Sequence, residues 1–200
     1  MFGLVAIILA VVLIMPKNNN NAGNIAAVVD GEVIYTSQVD ERIRYNEFMN
    51  SVNEEYIKQI FQLSDQKQQI EKTHLPTERK NVLNELIESA VIRHKAKKDN
   101  NHISYENVKE FADDQYRQLK TDETQRTYCE VLLKKLSENK MTEEEYLSLY
   151  YDNSYDFYHN KQAERNFQSE GYDSKSKKTF DEQFDKYVKS LKKQYSIKVY

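Results

Sequence analysis

Residues 25–43, IAAVVDGEVIYTSQVDERI, carry the pattern that decides the fold of this chain. Two short apolar runs flank the dipeptide Asp30-Gly31, which tolerates the positive φ angles of a two-residue hairpin turn. Directly after the second run, Thr36 or Ser37 can cap a helix, because its side-chain oxygen accepts a free N–H group of the first turn. The stretch therefore predicts a small β-hairpin that leads straight into a helix.

The chain after this stretch has the spacing of a long amphipathic helix. Apolar residues recur mostly at steps of three and four from Val39 to Leu63, and no Gly or Pro follows before Pro76. We expect a helix that runs to about Glu71 and bends near Ser64. At the usual rise per residue such a helix would be about 50 Å long, which implies a protruding arm or a partner helix.

Two more helices are indicated in the middle of the chain. Residues 82–94 have one apolar face and are followed by lysines, which suit the negative C-terminal pole of a helix. Ser104 is a suitable N-cap for the next helix. The residues of that helix expected to face inward are Val108, Phe111, Gln115 and Leu119.

The C-terminal half predicts three helices and a strand. A helix is expected over residues 123–139, and Thr142 begins another with Glu145 as its capping-box partner. Thr179 and Glu182 have the same spacing and predict the N-terminus of the last helix. The final five residues, SIKVY, alternate in the manner of a strand.

The hairpin and its helix resemble the start of the N-terminal domain of the SurA and PrsA extracytoplasmic foldases, which open with V-A-x-V-N-G-x-x-I-T-x-x-D-V. The matching residues here are Ala27, Val28, Val29, Asp30, Gly31, Ile34, Thr36, Gln38 and Val39. Asp30 replaces the usual Asn and keeps the turn chemistry. Residues 83–108 are similar to a helix–turn–helix segment of the family. The family's turn glycine is absent, so Asn100 or Asn101 is expected to adopt the left-handed conformation.

This resemblance implies a mainly α fold over residues 25–200, a long-helix domain like the N-terminal chaperone domain of SurA. It also implies a small antiparallel β element, formed by the N-terminal hairpin and the C-terminal strand. The family's parvulin-type prolyl isomerase domain is missing, because its insertion point near residues 166–178 leaves no room for it. The chain is therefore expected to be no enzyme and to use no cofactor.

Composition narrows the class of protein further. Four glycines and two prolines among 200 residues argue against an all-β fold. The net charge of −3 arises from mixed acidic and basic residues, so no nucleic-acid partner is expected. The single cysteine, Cys129, excludes an internal disulfide and is expected to be a half-buried thiol. The four histidines lack metal-binding spacing, so no metal site is predicted.

The N-terminus carries an uncharged apolar run over residues 2–15, shorter than a bilayer-spanning helix and close in length to a signal-peptide core. We expect residues 1–16 to act as a single membrane anchor and residues 17–24 as a linker, with the domain on the extracytoplasmic side. Cleavage of this segment and secretion is the alternative. No basic residue precedes the run, so an upstream start that adds one is expected.

Together these features predict a membrane-tethered, ATP-independent, chaperone-like module that binds unfolded or extended polypeptide segments. Tyrosine, present 15 times, suits such binding because it joins apolar area to one hydrogen-bonding tip. The candidate peptide-binding residues, for which core packing is the alternative, are Phe48, Met49, Tyr56, Tyr146, Tyr150, Tyr151, Tyr155 and Tyr158. The second hypothesis is a structural adaptor that uses the helix over residues 39–63 to form a homodimer or to dock a specific envelope partner.

Overall fold

The computed structural model describes residues 24–169 and 177–200. These residues form seven α-helices and a small antiparallel sheet, which confirms the predicted mainly α fold. The strands are β1 (Ile25–Val29), β2 (Glu32–Tyr35) and β3 (Ile197–Val199). The helices are α1 (Thr36–Ile60), α2 (Leu63–Thr73), α3 (Arg79–Lys98), α4 (Tyr105–Thr121), α5 (Arg126–Glu138), α6 (Glu143–Ser169) and α7 (Lys177–Lys192). The predicted anchor and nearly all of the linker lie outside the described residues.

The sheet brings the first and last described segments together. Its strand order is β2-β1-β3, and β1 pairs antiparallel with both neighbours. Asp30 and Gly31 turn the hairpin with φ angles of 46° and 89°, as predicted. Asp30 also fixes the returning strand: its N–H donates to Ser196 O at 2.9 Å, and its carboxylate accepts from Ser196 N–H at 3.0 Å. The predicted pairing of the C-terminal strand with the hairpin is confirmed.

The start of α1 differs from the prediction. Tyr35 is the N-cap residue, so Thr36 and Ser37 lie inside the helix and the predicted caps are wrong. The backbone N–H of Tyr35, the last residue of β2, donates to Gln38 Oε1 at 2.8 Å. Thr36 N–H, the first N–H group of the helix, donates to Asn24 O at 2.9 Å, so backbone pairing next to β1 closes the strand–helix junction.

The predicted long helix is broken into two. α1 ends at Ile60, and Phe61 and Gln62 are extended, with ψ angles of 151° and 154°. α2 then folds back and packs mainly against α1. The bend expected near Ser64 is thus a break a few residues earlier. A helix of 25 residues is about 38 Å long, so the predicted protruding arm is wrong.

Two apolar clusters share α1 as a common wall. The first lies beneath the sheet, where β1 and β2 pack with α3, α7 and the start of α1; Val29, Val39 and Val91 are buried there. The second lies along the middle of α1, against α4, α5 and α6, and includes Val52 and Leu132. Because both clusters use α1, this helix is the central element of the fold.

α4 begins as expected but turns a partly different face to the core. Asn100 has a φ of 54°, and Ser104 caps the helix by accepting from Asn107 N–H at 3.2 Å. Phe111, however, is 48% exposed and Gln115 is exposed as well, so their predicted inward positions are wrong.

The buried face of α4 is the stripe that contains Ala112 and Tyr116. Tyr116 can occupy a core position because its hydroxyl donates to Glu143 Oε2 at 2.9 Å, which satisfies its polar tip. The predicted inward positions of Val108 and Leu119 are confirmed, whereas Ala112 and Tyr116 take the core positions expected for Phe111 and Gln115.

The two predicted capping boxes have different outcomes. Glu145 N–H donates to Thr142 Oγ1 at 3.1 Å and Thr142 N–H donates to Glu145 Oε2 at 2.8 Å, which confirms the box at the start of α6. The described part of α7 begins at Lys177, so Thr179 lies within the helix and its predicted role as N-cap is wrong.

Candidate functional site

Two of the eight predicted binding residues are buried in the core, and the other six are half-buried. Phe48 and Tyr146 are buried, and their ring centroids lie 5.7 Å apart. Met49, Tyr56 and Tyr150 are half-buried against the same core cluster. Side chains placed in this way hold α1 and α6 together and offer little surface to a partner.

The other three candidates lie farther along α6, and all are half-buried. Tyr151 donates its hydroxyl to Asp113 of α4. Tyr155 packs against Tyr105, with ring centroids 5.3 Å apart. Tyr158 contacts two phenylalanine rings that are themselves about half exposed to solvent.

Phe111, Phe157 and Tyr158 form an aromatic patch across α4 and α6. Phe111 is 48% exposed and Phe157 is 54% exposed. The ring centroid of Tyr158 lies 5.1 Å from that of Phe111 and 5.7 Å from that of Phe157, in edge-to-face geometry. Lys161 Nζ lies 5.7 Å from the centre of the Phe157 ring. Single exposed apolar residues are common on proteins, whereas here the half-buried Tyr158 joins two exposed rings into one apolar surface.

Two of the three patch residues are missed from the sequence. Phe111 is predicted to face inward, and Phe157 is not singled out within the aromatic tract. The signal for Phe111 lay in Ala112 and Tyr116, whose four-residue spacing defines the buried stripe and turns Phe111 outward. Phe157 follows the buried Asp156, so its exposure depends on a long-range ion pair that the local sequence does not reveal.

A buried ionic network fixes α6 against three neighbouring elements. Asp156, whose side chain is 8% exposed, accepts from Arg42 of α1 at 2.6 Å and from Arg93 of α3. Arg93 also pairs with Glu32 of β2. Burial lowers the pKa of Arg93, but Asp156 and Glu32 raise it by more, so the guanidinium stays charged. Two cations and two carboxylates thus balance one another at the junction of β2, α1, α3 and α6.

A histidine pair lies beside this network, and its geometry fixes its tautomers. His159, 1% exposed, has Nδ1 at 2.9 Å from the Tyr155 carbonyl, which can only accept, so Nδ1 carries the proton. His159 Nε2 then accepts from His102 Nδ1–H at 3.0 Å. His102 Nε2 is left to accept from the Tyr155 hydroxyl at 3.4 Å. With both rings neutral, each of the four ring nitrogens has a hydrogen-bond partner.

The surroundings of the pair favour this neutral form. Burial lowers the pKa of His159, and the charge of Arg93 lowers it further. Burial also lowers the pKa of His102, and the neighbouring His159 and Lys97 act in the same direction. The pair is therefore suited to structural hydrogen bonding at neutral pH.

Little in the described residues points to bond-breaking chemistry. They contain no group of three or more His, Cys, Asp or Glu side chains placed to hold a metal ion. Cys129 is a half-buried free thiol, as predicted, and burial raises its pKa, which disfavours the reactive thiolate. Within the same residues, no helix combines the length and apolar character needed to cross a membrane.

Comparison of the chain with family models, with curated proteins and with solved structures finds no match. The resemblance to the SurA and PrsA foldases stays a prediction that rests on the quoted motifs. What the chain does is therefore inferred from its own geometry.

Proposed function

We propose that this chain is a non-catalytic, ATP-independent chaperone-type module that binds unfolded or extended polypeptide segments. The observation that carries the proposal is the aromatic patch of Phe111, Phe157 and Tyr158, which leaves two phenylalanine rings about half exposed in mutual contact with a tyrosine. A surface of this kind suits apolar side chains of any sequence, which a binder of unfolded chains must accept.

The size of the patch favours weak, reversible binding. Half of a phenylalanine side chain is about 100 Å², and its burial would contribute about 2–3 kcal/mol per ring. Losses of translational, rotational and side-chain freedom offset much of this gain. A module that must release its client benefits from this balance, whereas a permanent assembly requires a larger interface.

The support beneath the patch favours the same function. Asp156, which precedes Phe157, is held by Arg42 and Arg93, so α6 cannot easily rotate the patch into the core. Rings that are fixed before binding lose less conformational freedom on contact with a client. The rigid network thus supports an apolar surface that would otherwise tend to collapse.

The adaptor hypothesis has less support. It would use the helix after the hairpin as a docking face, but most of the buried apolar side chains of α1 pack into the two core clusters and the exposed stripe of Asp40, Arg44, Glu47 and Glu54 is charged. The tethered extracytoplasmic location remains part of the proposal and rests on the apolar run over residues 2–15.

Suppression of aggregation tests the proposal. The full chain is added in several-fold excess to a chemically denatured client as the client is diluted into buffer, and light scattering is recorded. We expect reduced scattering, and we expect the double variant Phe111→Ser/Phe157→Ser to lose most of the effect. Leu133→Ser is the matched control, because Leu133 is an exposed apolar residue of α5 outside the patch. Equal suppression by the patch variant and the control would contradict the role of the patch, and no suppression by the unmodified chain would contradict the function.

A further inference from the structure

Residues 74–77, HLPT, connect α2 to α3 as an extended strap that lies along α1. His74 has φ −69° and ψ 120°, an extended conformation. The strap crosses α1 beside Asn46 and Asn50, which lie one helical turn apart and therefore on the same face.

The two asparagines hold the strap through its backbone alone. Asn50 donates from Nδ2 to Leu75 O at 2.9 Å and accepts at Oδ1 from Leu75 N–H at 2.7 Å. Asn46, 3% exposed, donates to Pro76 O at 2.7 Å. The amide of Asn50 thus pairs with Leu75 as a neighbouring β-strand residue would. Recognition of this kind uses groups that nearly every residue carries, so it tolerates many sequences.

A pocket of about 310 Å³ opens beside the asparagines, between α1 and α2. α1 contributes Glu47, Asn50 and Glu54 to its wall, and Ile70 of α2 supplies apolar surface. The two carboxylates favour a segment with a basic side chain next to the bound backbone.

The strap and the described side chains of α2 lack the buried apolar anchoring of the elements that build the two core clusters. Neither contributes a member to the two core clusters, and His74 is exposed. Asn46, by contrast, belongs to α1, the wall of both cores, and is itself buried. A fixed set of hydrogen-bonding groups is therefore covered by a loosely held piece of the same chain.

We propose that Asn46 and Asn50 form a backbone-reading site for extended polypeptide, and that the strap is its resident occupant, which an incoming client segment displaces. The proposal rests on the proposed function for the class of ligand, but it uses residues separate from the aromatic patch. The strap itself is the example of what fits: an extended segment with a free N–H followed by two accepting carbonyl groups.

A peptide with the sequence of residues 70–80, IEKTHLPTERK, is the probe. Added to the full chain labelled with ¹⁵N, it should displace the strap and speed hydrogen exchange at the Leu75 amide about tenfold at saturation. A matched peptide with an N-methylated leucine lacks the N–H group from which Asn50 Oδ1 accepts a hydrogen bond. It should therefore bind at least tenfold more weakly. Unchanged exchange at Leu75, or equal binding of the two peptides, would overturn the proposal.

Variants test the site from the protein side. Leu75→Pro removes the strap N–H and leaves Asn50 intact, so it should raise probe affinity about tenfold, because the occupied fraction of the site falls. Leu75→Ala keeps the N–H and controls for loss of the side chain. Adding Asn50→Ala to Leu75→Pro should abolish the gain. If the Leu75→Pro variant binds the probe equally well with and without Asn50→Ala, Asn50 does not read the backbone.

The outcomes separate this proposal from the proposed function. If aggregation suppression depends on Phe157 but the probe does not displace the strap, the backbone-reading site is contradicted and the proposed function is retained. Strap displacement by the probe without any aggregation suppression would retain the site and remove the chaperone function.

Discussion

The two sides of α1 are built differently. On one side, α6 is fixed by the buried pairs of Asp156 with Arg42 and Arg93 and by a large aromatic core. On the other, the strap is held by amide hydrogen bonds from Asn46 and Asn50, and the described residues of α2 contribute no member to either core cluster. A single helix can therefore serve both as a rigid wall for the fold and as the base of an exchangeable contact. Four predictions probe the fixed and the loosely held parts of the fold, in order of decreasing size.

Removal of Asp156 should have the largest effect on stability. Asp156→Ala leaves two largely buried guanidinium groups with one carboxylate between them, and breaking a buried pair in this way costs about 3–5 kcal/mol. Urea denaturation followed by circular dichroism measures the free energy of unfolding. The control is Asp40→Ala, which breaks an exposed pair with Arg79 and should cost about 0–1 kcal/mol. Similar losses for the two variants would show that the fixed side is not fixed by Asp156.

The hairpin turn should have the next largest effect. Gly31 has a φ of 89°, and a Cβ added there would meet no atom within 4 Å, so the cost of Gly31→Ala is conformational rather than steric. A left-handed conformation costs an alanine about 1–2 kcal/mol. The same urea titration checks it. Asn100→Gly is the reciprocal control, because φ is 54° there and glycine should be tolerated without loss. A larger loss for Asn100→Gly would contradict the account of both turns.

The histidine pair should make the folded chain less stable as the pH is lowered. Burial lowers the pKa of His102 and His159 below the unfolded value, so the unfolded state binds more protons in this range. The contribution of the pair is therefore complete above about pH 6.5 and is lost as pH falls through the unfolded value toward the lower folded values.

Charged groups near the pair belong to several elements: Arg93 and Lys97 on α3, Asp156 on α6 and Glu32 on β2. The measurement is the free energy of unfolding of the unmodified chain and of His159→Gln between pH 7.5 and 5. The unmodified chain should lose more stability across this range. Parallel curves would show that the pair does not titrate as described.

The loosely held side should show the smallest change in global stability. Asn50→Ala removes two hydrogen bonds to the strap, and the expected loss is about 1 kcal/mol. The change should be local, since the strap can open while both cores remain intact. Hydrogen exchange should therefore accelerate at Leu75 and stay unchanged at Val52. Acceleration at both sites would mean that the strap is part of the cooperative core.

The parts of the fold that the sequence predicts are those specified locally. Asp30-Gly31 identifies the hairpin because few residues tolerate two positive φ angles, and Thr142 with Glu145 marks a helix start by chemistry within one turn. The N-cap at Tyr35 is not predicted, because Thr36 N–H donates to Asn24 O beside β1 and Tyr35 N–H donates to Gln38. Here tertiary pairing replaces the usual capping hydroxyl.

The candidate sites were harder to predict because they depend on distant residues. Asp156 meets Arg42 across 114 positions of sequence and Arg93 across 63, and no local pattern specifies such pairs. Of the eight predicted binding residues, Tyr158 alone belongs to the aromatic patch, since aromatic spacing does not reveal which rings another helix will cover. Asn46 and Asn50 gave no signal, because their role depends on a strap about 25 residues further along the chain.

Binding of an unfolded client, followed by NMR, tests whether this chain grips extended polypeptide. The ¹⁵N-labelled full chain is titrated with a permanently unfolded polypeptide. The account predicts shifts confined to the aromatic patch at Phe111, Phe157 and Tyr158 and to the strap site around Asn50, with core residues such as Val131 unaffected. A titration without shifts, or with shifts that spare both of these regions, would contradict the claim that this chain grips extended polypeptide.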